Sequence, residues 1–87
     1  MLVVTEIAWD GSIRRLAVDT AGRADAARWD QLIAAVPPQP PPYRAMPGSA
    51  VYYVSIGGQV QLVAENDLAG PLRDLVAGVL TVGSPVR

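Results

Sequence analysis

The sequence contains no cysteine, no histidine and no phenylalanine, and all seven of its cationic residues are arginine, so lysine is missing too. Without cysteine, neither disulfides nor thiolate chemistry enter the argument. A small chain without such staples fits an intracellular, cytoplasmic address better than a secreted one. Without histidine, the usual general base, the triad imidazole and the commonest zinc ligand drop out together. With both residue types missing, no zinc or transition-metal site is expected. No glycine-rich loop leads to a lysine, so a phosphate cradle of the Walker type is excluded. The net charge is −1 and the arginines are scattered, which leaves no basic stripe for a nucleic acid. Glu6 and Asp10 interrupt the opening apolar stretch, so it does not read as a signal peptide. No apolar run approaches the roughly 18–20 residues that a membrane span needs.

Carboxylates are the one chemically useful group in supply. Asp25 and Asp30 fall on a predicted helix, and Glu65 and Asp67 flank a predicted helix start. Carboxylates in such places act first on the helix dipole and on solvation. The expectation is a protein that is not an enzyme, holds no cofactor and acts by binding.

At 87 residues the chain is expected to form a single domain over 1–87, and 51% of its residues are apolar. A domain of this size buries about 60–65% of its unfolded surface, so the core must come from Val, Leu, Ile and Ala with few aromatics. Residues 2–8 and 12–19 alternate as strands around Asp10-Gly11, a strong signal for a two-residue hairpin loop. Pairing Trp9 with Ser12 puts Val3, Ile7, Leu16 and Val18 on a core face and Glu6 opposite Arg15. Residues 23–36 carry Trp29, Leu32, Ile33 and Val36 at helical spacing, with Thr20 or Gly22 as a possible start and Pro37 as the stop.

Residues 37–47 hold six prolines among eleven residues, which predicts an extended loop with polyproline character. Residues 49–56 and 59–64 form a second hairpin around Gly57-Gly58. A three-residue loop there gathers Tyr52, Val54, Ile56, Val60, Leu62 and Ala64 on one face, leaving Tyr53 and Gln61 opposite. A final helix follows Asn66 and Asp67 as N-caps, with Pro71 in its first turn. Leu68, Leu72, Leu75, Val76, Val79 and Leu80 make its apolar stripe, and a short tail, residues 83–87, closes the chain. The fold class expected is α+β, order ββαββα: a four-stranded antiparallel sheet with two helices on one face.

Several short stretches carry a resemblance. Ile13-Arg14-Arg15-Leu16-Ala17-Val18-Asp19-Thr20 looks like an arginine-rich strand ending in an Asp-Thr turn. An Ala- and Leu-rich helix, a proline-containing loop and a Tyr-x-Val hairpin follow. Glu65-Asn66-Asp67-Leu68-Ala69-Gly70-Pro71-Leu72 then looks like an acidic cap and proline leading into a leucine-rich helix. In this order the chain, over residues 13–80, resembles the emfourin-like proteins, small inhibitors of thermolysin-like zinc metallopeptidases of the protealysin group. The resemblance implies a metallopeptidase as partner and inhibition by occlusion of its cleft. It departs at one turn, where the family's Ser-Gly-Gly-Phe type is replaced by Ala8-Trp9-Asp10-Gly11-Ser12.

Candidate partner-binding residues are Trp9, Asp10 and Gly11 at the first hairpin tip, Arg14 and Asp19 on the strand that follows, and Tyr43 and Arg44 in the proline-rich loop. Tyrosine, tryptophan and arginine dominate binding hot spots, and Asp10 or Asp19 supplies a carboxylate for a peptidase's zinc. Trp29, on an apolar stripe, reads as core. The alternative is a general interaction module, monomer or homodimer, with no peptidase target; a polyproline ligand built on residues 37–42 is a third reading.

Overall fold

The computed structural model describes residues 1–37, 43 and 46–86. Its elements are β1 (Leu2–Ile7), β2 (Ile13–Val18), α1 (Ala26–Ala35), β3 (Val51–Ile56), β4 (Gln59–Ala64), α2 (Gly70–Val82) and β5 (Ser84–Pro85), with a 3-10 turn at Glu65–Asp67. The α+β class holds, but the sheet has five antiparallel strands in the order β4-β3-β1-β2-β5 rather than four. The tail makes the difference. Ser84 and Pro85 pair with Ala17 and Leu16, and the Val86 N–H donates to the Arg15 carbonyl at 2.9 Å.

The two hairpins close with turns opposite to those expected. In the first, Ala8 pairs with Ser12, and Trp9, Asp10 and Gly11 form a three-residue loop. Only Gly11 adopts positive φ (87°), so Asp10 avoids the left-handed region that a two-residue type I′ loop would impose on it. In the second, Ile56 pairs with Gln59 across Gly57-Gly58, whose φ values of 56° and 86° are those of a type I′ turn. A glycine pair takes that turn without steric cost.

Each change moves a register by one residue and reverses which side chains face the helices. Leu2 and Val4, not Val3 and Ile7, join Leu16 and Val18 in the core. Glu6 stands opposite Arg14, not Arg15. On β3 the sides are as expected, with Tyr52 and Val54 buried and Tyr53 exposed. On β4 they are not. Val60 and Leu62 share the face of Tyr53, and Gln61 turns towards the helix side.

The helix α1 begins at Ala26 after Asp25, because backbone turns at Thr20–Arg23 and Arg23–Ala26 occupy the earlier residues. It stops where Val36 is extended before Pro37, as the proline requires. The helix α2 is capped by Ala69 rather than by Asn66 or Asp67, which belong to the 3-10 turn, while Pro71 does sit in its first turn. Leu72, Leu75, Val76 and Val79 are buried against the sheet, and Leu68 and Leu80 pack beside them. Each of the four buried side chains contributes about 1.5–3 kcal/mol relative to exposure.

Trp29 joins the two helices. Its ring lies on Gly78 so closely that a Cβ there would sit 2.9 Å from Trp29 Cη2. Glycine inside a helix costs about 1 kcal/mol, and here it makes room for the largest side chain of the core.

Candidate interaction surface

The β1–β2 tip is small and tightly tied. The Ala8 N–H donates to the Ser12 carbonyl (2.8 Å), the Gly11 N–H to the Ala8 carbonyl (3.0 Å), and the Ser12 N–H to Asp10 Oδ1 (2.9 Å). Hydrogen bonds from Ser12, its side chain first and its backbone second, hold the Asp10 carboxyl below the usual carboxylate range. The tip therefore carries a fixed negative charge. Beside it stands Trp9, 76% exposed.

Arg14 lies near this tip, but on the helix-covered side of the sheet. Its Nη2 is 3.1 Å from Glu6 Oε1, and the Tyr52 hydroxyl donates to Glu6 Oε2 at 2.9 Å. These three residues stand side by side on β2, β1 and β3 and tie the strands at the end of the core. Burial first, and the Glu6 hydrogen bond second, push the Tyr52 hydroxyl up from 10.0 to about 12. Arg14 is thus half-exposed and already paired.

Asp19 does not join the tip. It follows the far end of β2, about 20 Å of strand away, where its Oδ1 accepts the Ala21 N–H at 3.1 Å. Tyr43 is exposed. Arg44 lies outside the described residues, as does most of the proline-rich loop. Of the candidate set, the structure brings together Trp9, Asp10 and Gly11, with Arg14 close by.

A second concavity lies between the helices. It is an open cleft of about 380 Å³ lined by Asp25, Arg28, Trp29, Asp74, Gly78 and Thr81 among others. Asp25 is engaged by Arg23, whose Nε donates at 2.8 Å and keeps the carboxyl low. Arg23 also sits 6.0 Å from the centroid of the Trp29 ring, a cation–π distance. Among the described residues, no three His, Cys, Asp or Glu side chains group in a way that could hold a metal ion. No helix among them is long and apolar enough to cross a membrane.

Sequence reasoning placed Tyr53 on the outer sheet face but missed that Val60 and Leu62 join it there. The sheet face away from the helices carries Ile13 (69% exposed), Val60 (62%) and Tyr53 (41%). Its signal was present in the Gly-Gly turn, which by its own geometry sends Val60 and Leu62 outward.

Comparison with protein-family models, with curated proteins and with solved structures finds no match to this chain.

Proposed function

We propose that this chain is a protein inhibitor of a thermolysin-like zinc metallopeptidase of the protealysin group, acting by stoichiometric binding at the active-site cleft. The observation that carries the reading is the tip itself: an exposed Trp9 beside an ionised Asp10 on a turn closed by three hydrogen bonds. A loop held in one shape loses little entropy on docking, and tryptophan is among the commonest anchors of tight interfaces. The stretches over residues 13–80 that resemble the emfourin-like proteins support the same partner class.

Two carboxylates were candidates to approach the peptidase's zinc. Only Asp10 travels with Trp9; Asp19 belongs to the opposite end of the strand. Asp10 Oδ1 accepts the Ser12 N–H, and the carboxylate is the group this proposal offers to the metal, a role that carboxylate oxygen fills in many zinc sites.

The test is a titration. Residual activity of an active-site-counted protealysin-type enzyme should fall linearly and reach zero near one equivalent of this protein. Full activity under a large excess, across several thermolysin-like enzymes, would remove the proposal.

A further inference from the structure

The register places twelve side chains of β4, β3, β1 and β2 on the face away from the helices, in three rows. They are Val60, Ser55, Val3 and Ala17; then Leu62, Tyr53, Thr5 and Arg15; then Ala64, Val51, Ile7 and Ile13. Antiparallel sheets with one solvated face normally alternate, with polar side chains outward. This face does not. Eight of its twelve residues are aliphatic, and Arg15 is its single charge. The helix-covered rows of the same strands hold Gln59, Gln61, Glu6 and Arg14, so the open face is the less charged of the two.

We infer that this open face is a homodimer interface, packed sheet on sheet against a second copy of the chain. The face is broad enough for a dimer. Four strands of six residues span a face of about 20 Å by 20 Å, or about 400 Å² in projection. Its apolar part, about two thirds of the face, lies near the lower end of the largest apolar patches of ordinary monomers, about 300–600 Å². Two such faces, about 800 Å² in projection, approach with the relief of their side chains and the adjoining Val86 the roughly 1,200 Å² at which specific interfaces begin.

The face is also self-complementary. A twofold axis in the interface plane, running along the strands between β1 and β3, lays β4 of one copy over β2 of the other. Rows are preserved, so Tyr53 meets Thr5 and Val60 meets Ala17, each larger side chain against a smaller one, while Ala64 at the corner is already buried within its own chain. Alternation of that kind is what lets facing layers interdigitate. The same axis keeps the two Arg15 side chains apart, each in the outer β2 row of its own copy, where its stem covers Leu62 and its guanidinium reaches water. An axis across the strands would instead set Arg15 against Arg15. A nearly uncharged face gives a differently charged partner nothing to recognise, and a second copy is the occupant whose shape it matches. This inference stands on the sheet face alone and does not depend on the peptidase reading.

Sedimentation of the full chain over about 1–500 μM tests it, because interfaces at this lower size limit give micromolar dissociation constants. The expected result is a reversible monomer–dimer equilibrium. Ile13→Glu and Val60→Glu, both at well-exposed positions, should each raise the dissociation constant about 30-fold or more, with melting of the dilute monomer unchanged. As a second reading, concentration-dependent amide shifts should centre on residues 3, 13, 53, 60 and 62 and leave α1 and α2 unmoved. A chain that stays monomeric throughout overturns the inference. So does a dimer that survives both substitutions, or one whose shifts map to the helices or to the free edge of β4.

Discussion

Trp9 and Trp29 are the only tryptophans of the chain, and the fold uses them in opposite ways. Trp29 is 5% exposed and fills the space between two helices; Trp9 is 76% exposed at the tip of a hairpin. The difference lies in what each neighbourhood offers. Around Trp29, the apolar spacing of α1 turns it inward and Gly78 clears a place for it. Around Trp9, the turn bonds are made by backbone and by Asp10, and no described element covers the ring. A large aromatic held out by a turn that does not need it contributes little to folding.

The largest expected effect is on the buried member of the pair. Trp29→Ala should lower stability by about 3–5 kcal/mol, read by denaturant or thermal unfolding. A barely shifted melt would show that the ring is not the core residue its burial implies. Gly78→Ala should cost about 1–2 kcal/mol, since the new Cβ pushes on the indole by more than the gain in helix propensity returns. A stabilised Gly78→Ala protein would place the Trp29 ring elsewhere.

Smaller effects belong to the polar tie behind the tip. Tyr52→Phe should cost about 1 kcal/mol near neutral pH through the lost hydrogen bond to Glu6. It should also change the alkaline limb. The folded Tyr52 hydroxyl is raised above its unfolded value, so its contribution is complete below pH 10.0 and is lost as pH rises towards about 12. Stability of the Phe variant should fall less steeply across that window, and parallel curves would contradict the assignment. Arg14→Ala, at a half-exposed ion pair, should change stability by only about 0–1 kcal/mol.

Much of the frame was legible in the sequence because each signal rested on one dominant cause. Pro37 fixed the end of α1, the Leu68 to Leu80 stripe identified the buried side of α2, and Trp29 followed from its spacing. The hairpin registers were not legible from the apolar pattern. Both β1 and β4 carry apolar residues at even and odd positions, so the pattern allowed either face inward and the turns decided. Asp10 made its own hydrogen bond to Ser12 and stayed out of the left-handed region, whereas Gly57 and Gly58 both entered it. The strand β5 was missed because two residues, one of them proline, are too few to show a period. For the candidate site, the turn at Asp10-Gly11 was visible but the sequence left Trp9 free to stand out or fold back over the sheet edge, and Asp19 was set apart only by the direction of β2.

The measurement that bears most directly on the account compares wild type and Trp9→Ala in the peptidase titration, with melting recorded on the same samples. Wild type should inhibit near one equivalent. Trp9→Ala should bind at least about 30-fold more weakly, a loss of about 2 kcal/mol, while its melting temperature stays that of wild type. If Trp9→Ala inhibits as well as wild type, or if wild type leaves the peptidase untouched, the tip is not the inhibitory element.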